Sequence, residues 1–325
     1  MSDAVHVAVA VIVNEKNKVC ISLRHKTSHQ GGLWEFPGGK VEPDETDEQA
    51  LTREIKEELN LDIKQSRPLI TIKHHYHDGD KTVCLHVRKV ISYQGEALGV
   101  EGQQVRWVAI TQLAEYDFPA ANQAIIKALQ LPDKYLITGS FFDNEDFYNK
   151  LQNALSQKIK LVQLRLKESD CNDMAQVYTL LEQASLLCRR TDAKLMLNLP
   201  PKLIEALDLS QFDYDGLHAD SRTLNFMSVD ELRKLHSDKL FSASCHTREE
   251  LMKAVRLQAD FVVLSPVQKT QSHPDTPAIG WGVFASMIED VALPVYALGG
   301  VSDADIDTSW SHGAQGVAAI SAFWK

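Results

Sequence analysis

Three glutamates, Glu54, Glu57 and Glu58, follow Arg53 in the stretch Arg53-Glu54-Ile55-Lys56-Glu57-Glu58. On a helix, residues three and four apart share a face, so these carboxylates converge at one place. Crowded together they repel one another, and holding them ionised becomes costly unless a hard divalent cation takes their oxygens as ligands. Mg2+, or Mn2+, suits such a set. Just upstream, Pro37-Gly38-Gly39 lets the backbone turn sharply and brings the Gly38 carbonyl in as a further oxygen ligand. Arg53 is placed to hold the acids in position. The plain alternative is a solvated acidic helix face.

The element that must position these groups is a helix starting after Thr46. Asp44 or Thr46 caps it, acids crowd its first turn, and Ala50, Leu51, Ile55 and Leu59 form its apolar stripe. Across the stretch from Phe36 to Leu61, Gly39 is followed after five residues by Glu45 and after seven more by Arg53-Glu54. The full pattern resembles the Nudix box. One specified position departs from it, where Asn60 replaces the last glycine; Asn tolerates a left-handed backbone well. The resemblance implies an α/β/α sandwich and metal-assisted hydrolysis of a nucleoside triphosphate.

At 325 residues the chain has about twice the length of a typical single domain, so two domains are expected. The net charge of −10 divides as −3 over residues 1–130, from 15 basic and 18 acidic side chains, and −7 over 131–325, from 19 and 26. Neither part reads as a polynucleotide binder. A small anionic substrate remains compatible, since bound metal offsets the field. Five scattered cysteines, Cys20, Cys84, Cys171, Cys188 and Cys245, form no CxxC pair and read as reduced core thiols of a cytoplasmic protein. No secretory signal and no long apolar run predicts secretion or a membrane span.

In chain order, residues 5–13 and 18–23 read as a strand hairpin across Asn14-Glu15-Lys16-Asn17. Arg24 opens a basic loop suited to phosphate. Residues 69–76 and 82–91 pair across Asp78-Gly79-Asp80, residues 104–110 form a strand carrying Trp107, and 123–129 form a closing helix. LWEFPGGKVEPDET, GVEGQQVRWV and DFPAANQAII together resemble the MutT-type 8-oxo-dGTP diphosphatases. The resemblance implies that Arg24, Phe36 and Asn122 read the oxidised purine and that Glu101 adds a carboxylate at the metal centre. Physically, an Asn amide offers the donor and acceptor that a purine edge needs, and an aromatic ring stacks on a base. Asn122 also suits a helix cap, and Phe36 suits the core. Either Glu54 or Glu101 serves as general base.

A boundary falls at Leu131-Pro132-Asp133, giving domains of 1–131 and 132–325. Beyond it, apolar segments at 135–138, 161–166, 194–199, 216–219, 241–245, 261–265, 295–298 and 316–320 alternate with helical stretches. That pattern predicts a compact (β/α)8 TIM barrel with short helices, an open doubly wound sheet being the alternative. Polar residues stand at strand ends: Gln163, Arg165 and Lys167, Asn198, His218, Ser244 and His246, Ser265, Gly299 and Gly300, and Ser321. QLRLK, DGLHAD, SASCHTREE, DFVVLSPVQKT, YALGGV and GAQGVAAISA resemble thiamine phosphate synthase and its TenI-like relatives.

Three departures limit what that second resemblance implies. Leu199 stands where the synthases carry an acid, Asp220-Ser221-Arg222-Thr223 replaces an acid-bearing stretch, and Thr270-Gln271-Ser272-His273 replaces a pyrophosphate loop with lysine. Synthase chemistry is therefore not expected. Arg165, Lys167, Asn198, His246, Gly299, Gly300 and Ser321 are the candidates for a site that takes a phosphorylated thiazole or pyrimidine. His246 is a candidate acid/base for a tautomerase, or else a structural histidine. The resulting expectation is a nucleotide-pool hydrolase acting on 8-oxo-dGTP with an accessory barrel. Its rival is a thiamine-pathway protein that hydrolyses a thiamine-related pyrophosphate, with the barrel as tautomerase or noncatalytic binding module.

Overall fold

The computed structural model describes residues 4–76, 81–171, 173–226, 239–270 and 276–325. Two units form, Met1–Gln130 with Glu289–Pro294, and Leu131–Ile288 with Val295–Lys325.

In the first unit β1 (Val5–Ile12) lies between β4 (Gly38–Lys40) and β6 (Lys81–Gln94), and β5 (Asp62–Tyr76) completes the sheet. β1 runs antiparallel to β4 and parallel to β6. A second, antiparallel sheet has β2 (Lys18–Leu23) between β3 (Trp34–Glu35) and β7 (Val105–Ala109). Alternation along β1 decides its two faces. Ala8, Ala10 and Ile12 pack with Ala50, Leu51, Ile55 and Leu59 of α1 (Asp47–Leu59), small alanines leaving room for the helix. Val9 and Val11 share the opposite core with Ala124, Ile125 and Ala128 of α2 (Gln123–Leu129). A helix thus covers each face, as a sandwich requires.

The expected pairing of β1 with β2 is corrected by the structure. The Asn14 turn forms, its side-chain oxygen accepting from the Lys16 and Lys18 amides at 3.0 Å. Beyond the single bridge Val13 to Val19 the strands part. Both edges of β1 are taken by β4 and β6, and both edges of β2 by β3 and β7, so these neighbours in sequence enter different sheets. The pairing of β5 with β6 is as expected; the turn assigned to Asp78-Gly79-Asp80 lies outside the described residues.

Helix α1 begins as its sequence dictates. Thr46 caps it and Gln49 reaches back to the Thr46 amide at 2.8 Å, a reciprocal box. Asn60 ends it in the left-handed region at φ 55°, where its amide meets the carbonyls of Ile55 and Lys56.

The second unit is a closed barrel of parallel strands in chain order: β8 (Lys134–Ile137), β9 (Leu161–Arg165), β10 (Lys194–Asn198), β11 (Gly216–Ala219), β12 (Leu240–Cys245), β13 (Phe261–Leu264), β14 (Val295–Leu298) and β15 (Gly316–Ala319). The first seven are followed by helices: α3 (Asn144–Ser156), α4 (Met174–Arg190), α5 (Pro201–Ala206), α6 (Ser221–Phe226), α7 (Arg248–Arg256), α8 (Gly280–Ile288) and α9 (Ile306–Ser311). Helices α5 and α9 are only six residues long, which helps a full barrel fit the available chain. Tyr135, Met196, Phe261, Val263, Tyr296 and Ala318, drawn from strands all round the barrel, form its apolar interior.

Cys20, Cys188 and Cys245 are buried, as expected. Cys84 is only half-buried, on β6, and does not belong to the core. Among the described residues no helix is long and apolar enough to cross a membrane.

Candidate functional site

The acidic cluster is built from α1, the glycine strand β4 and two flanking loops. Arg53 is its organiser. Its guanidinium donates to Glu45 at 2.5 Å, Glu54 at 2.8 Å and Glu57 at 3.4 Å, and to the Lys40 carbonyl at 3.1 Å. A planar fork of donors makes such a multiple grip; a lysine ammonium does not. Arg53 is held more firmly protonated than usual by Glu45 and Glu54, and Glu45 is correspondingly lowered by Arg53. Glu57 stands at the rim with its side chain 57% exposed.

Glu58 sits deeper. Its Oε2 accepts from the Gly38 amide at 3.2 Å. Burial pushes its pKa up to about 8, and the charges of Glu35, Glu101 and Glu54 add to that push. Gly38, at φ 148°, lies so close to β1 that a Cβ there would stand 2.1 Å from the Ala8 carbonyl oxygen. At Gly39 a Cβ would fall 2.1 Å from the Glu54 Cδ, so the missing side chain is the space that Glu54 occupies. Gln103 brings in the last acid: its Nε2 donates to the Glu58 carbonyl and its Oε1 accepts from the Glu101 amide, each at 2.9 Å. The structure thereby joins Arg53 to Glu54 and Glu57, and Glu58 to Gly38, and brings Glu54 and Glu101 near enough for their charges to act on Glu58, but among the described residues no three of these acids bring oxygens within 4.8 Å of one another.

Sequence reasoning missed Glu35 and Gln103. Burial raises the Glu35 carboxyl, against the pull of Arg24, and its charge bears on Glu58. Its strand is two residues long, too short for a period to mark which way the side chain faces.

The residues expected to read a base are less uniform. Arg24 is engaged with Glu35 and donates to the His29 carbonyl at 3.0 Å. Phe36 is 2% exposed, its ring stacked on Phe118 at 5.5 Å between centroids. Asn122 is 8% exposed at the start of α2, yet its side chain makes no capping bond. The Asn122 side chain therefore does not cap α2.

Within the barrel a relay of buried polar groups spans several strands. Asn198 donates to Gln163, which donates to the Tyr135 hydroxyl, each at 2.8 Å. Tyr135 bonds Ser242, and His218 bonds Ser242 and Ser244 at 2.8 Å on its two ring nitrogens. Burial lowers His218 to about 3, so the ring is neutral. Tyr135 and Ser242 were not foreseen, because both lie inside apolar runs. Arg165 ends β9 and Lys167 follows it, both exposed, and the Arg165 amide is fixed by the Thr138 hydroxyl at 2.9 Å. His246 Nδ1 lies 2.9 Å from the Ser265 carbonyl and 3.2 Å from the Ser265 hydroxyl. Gly299 and Gly300, at φ 98° and 69°, pass so close to Pro266, Gln268 and Lys269 that side chains would collide. Ser321 is exposed after β15. Leu199 is buried, 4% exposed, where an acid had been sought, and Asp220 caps α6 through the Thr223 amide at 2.7 Å. Gln271-Ser272-His273 lie outside the described residues.

Comparison with known proteins yields two family matches, the NUDIX domain over residues 8–128 and thiamine monophosphate synthase over 134–323. The chain is 38% identical over 124 residues to an 8-oxo-dGTP diphosphatase of Escherichia coli, covering 38% of this chain and 95% of that one. It is 32% identical over 196 residues to a putative thiamine-phosphate synthase 2 of Aquifex aeolicus, covering 60% of this chain and 99% of that one. A CTP pyrophosphohydrolase of Escherichia coli is 32% identical over 120 residues, 37% of this chain and 87% of that one.

Proposed function

The chain belongs to the Nudix family through its first unit and to the thiamine monophosphate synthase family through its second, and from that premise we propose that it is an 8-oxo-dGTP diphosphatase carrying an accessory, non-synthase barrel. We assign residues 1–131 to the hydrolase and 132–325 to the barrel. The observation that carries the reading is the acid site of α1 and β4, where half-buried Glu58 accepts from the Gly38 amide at 3.2 Å and lies under the charges of Glu35, Glu101 and Glu54.

Nudix hydrolases use divalent metal ions. The donors here are all oxygens, the chemistry of a hard ion such as Mg2+ or Mn2+, but among the described residues no three of these carboxylates bring oxygens within 4.8 Å of one another, so the side chains would have to converge to hold it. Glu54, Glu57, Glu58, Glu101 and the Gly38 carbonyl would hold it. When bound, such an ion neutralises phosphate charge and acidifies water. Arg53 fixes Glu54 and Glu57 in place, and the Gly38 amide orients Glu58. Glu54 or Glu101 removes the proton from water as its oxygen bonds to the β-phosphorus. The bond from that phosphorus to the α–β bridging oxygen breaks, giving 8-oxo-dGMP and pyrophosphate. Asn122 and Arg24 read the base edge and Phe36 backs the base. Arg24 must exchange its Glu35 contact for substrate to do so.

For the barrel we propose that Arg165, Lys167, Asn198, His246, Gly299, Gly300 and Ser321 bind a phosphorylated thiazole or pyrimidine. Synthase chemistry lacks support, since Leu199 is apolar and buried and Asp220 is spent on a helix cap. Membership in the thiamine monophosphate synthase family favours one second reading, in which the first unit hydrolyses a thiamine-related pyrophosphate. Pyrophosphate and phosphate release from the full-length protein with Mg2+ on 8-oxo-dGTP, dGTP and thiamine pyrophosphate, with Glu54→Gln as blank, separates them. Strong preference for 8-oxo-dGTP is expected. Turnover of the thiamine compound alone overturns the proposal.

A further inference from the structure

Two imidazoles and a thiol meet on the first unit, in residues that the hydrolase reading does not use. β1 and β6 run parallel with His6 opposite Cys84 and Ala8 opposite His86. Side chains two apart emerge on the same face of a strand, so His6, Cys84 and His86 project together. His6 Nδ1 lies 2.8 Å from His86 Nε2, and the two rings stack at 5.1 Å between centroids, 13° from parallel. One ligand atom from each of the three residues lies within 4.8 Å of the others. His6 is exposed and Cys84 and His86 are half-buried, so solutes reach the cluster. The Asp47 carboxylate is near enough to act on His86, adding negative charge beside a cation.

The chemistry of this set differs from that of the box. Carboxylate oxygens select hard ions, whereas two imidazoles with a thiolate select borderline ones, and three protein ligands leave a fourth position for water. We propose that His6, Cys84 and His86 form a Zn2+ site that clamps β1 to β6. On binding, the Cys84 S–H bond breaks, its proton goes to solvent, and the sulfur pair bonds the ion. Of the two facing ring nitrogens, one carries the proton of the His6–His86 hydrogen bond. That proton moves to the other nitrogen of the same ring, so both lone pairs face the metal. Two nitrogens on a tetrahedral zinc sit ~3.3 Å apart, so the rings need open only slightly. The clamp acts on the strand that backs the glycine strand, since β1 pairs Ala8 with Gly39 and the His6 carbonyl accepts from the Val41 amide at 3.0 Å.

The test uses the full chain with Co2+ as a spectroscopic substitute for Zn2+, in excess Mg2+ so that carboxylate sites are filled. One equivalent of Co2+ is expected to give a thiolate-to-cobalt charge-transfer band that Zn2+ abolishes by displacement. Cys84→Ser should remove the band, and His6→Ala should weaken Zn2+ binding at least ~10-fold. Circular dichroism should match wild type in both variants. Zn2+ should also raise the unfolding temperature of wild type and leave that of Cys84→Ser unchanged. Absence of the band in wild type, its persistence in Cys84→Ser, or unchanged Zn2+ affinity in His6→Ala would overturn the proposal.

Discussion

Asn122 and Arg53 exemplify two ways in which a single side chain declares a task. Asn122 is almost buried, yet its amide does not cap the helix it begins, so capping is not the task that its polarity serves. Replacing it with Ala should leave the protein folded, at a cost of no more than about 1 kcal/mol. The same change should weaken discrimination of 8-oxo-dGTP from dGTP by about 1–3 kcal/mol, because a base edge is left unpaired. Comparing kcat/KM for the two nucleotides checks this, and an unchanged ratio removes Asn122 from base reading. Arg53 is the opposite case, with its donors fully committed to Glu45, Glu54, Glu57 and the Lys40 carbonyl. Arg53→Lys keeps the charge and loses the fork. Activity or metal affinity should fall ~10–100-fold while the protein still folds. Kinetics across a Mg2+ series test it; wild-type kinetics in that variant would mean that charge alone suffices.

At the scale of elements, α1 is the part most fully written in the sequence. Its apolar stripe was legible from period, its cap was narrowed to Asp44 or Thr46 with the structure choosing Thr46, and Asn60, read as able to take a left-handed backbone, does so. The same caps yield numbers: Thr46→Ala should destabilise the unit by about 1 kcal/mol through the lost reciprocal bonds. Asn60→Ala should destabilise it by about 1 kcal/mol, since φ is 55° there, while Asn60→Gly should be nearly neutral. Thermal unfolding of the three variants separates these outcomes, and equal effects of Ala and Gly at residue 60 would contradict the left-handed cap. The barrel strands were legible nearly to the residue because each is a short apolar run between turn residues. Partner choice was not. The Asn14 turn was visible, but which strand edges were already occupied depends on residues 38–40 and 81–94, far along the chain. Nor was the relay through Tyr135, Gln163 and Ser242 visible whole, since burial on both faces of a barrel strand erases the alternation that marks a polar position.

At the scale of the molecule, half-buried Glu58 in the first unit and buried His218 in the second give stability opposite dependences on pH. Glu58 titrates near 8 in the folded chain against an ordinary value of 4.5. Between those values the folded state keeps a proton that the unfolded state gives up. Its contribution is therefore full at low pH and is lost as pH rises through 8, with a span on the order of a few kcal/mol. His218 runs the other way, at about 3 in the folded barrel against 6.5. Below 6.5 the unfolded chain takes up a proton that the buried ring refuses, so this contribution is intact above 6.5 and is lost as pH falls towards 3. A divalent ion that binds ionised Glu58 acts on the first effect alone. Calorimetry between about pH 4.5 and 8 should thus show Mg2+ stabilising the protein most at the alkaline end, with the acid-side loss unaffected. Glu58→Gln should flatten the alkaline slope and reduce the Mg2+ response. Equal Mg2+ stabilisation of Glu58→Gln and wild type at the alkaline end would place the ion elsewhere and remove the basis for reading Glu58 as a ligand.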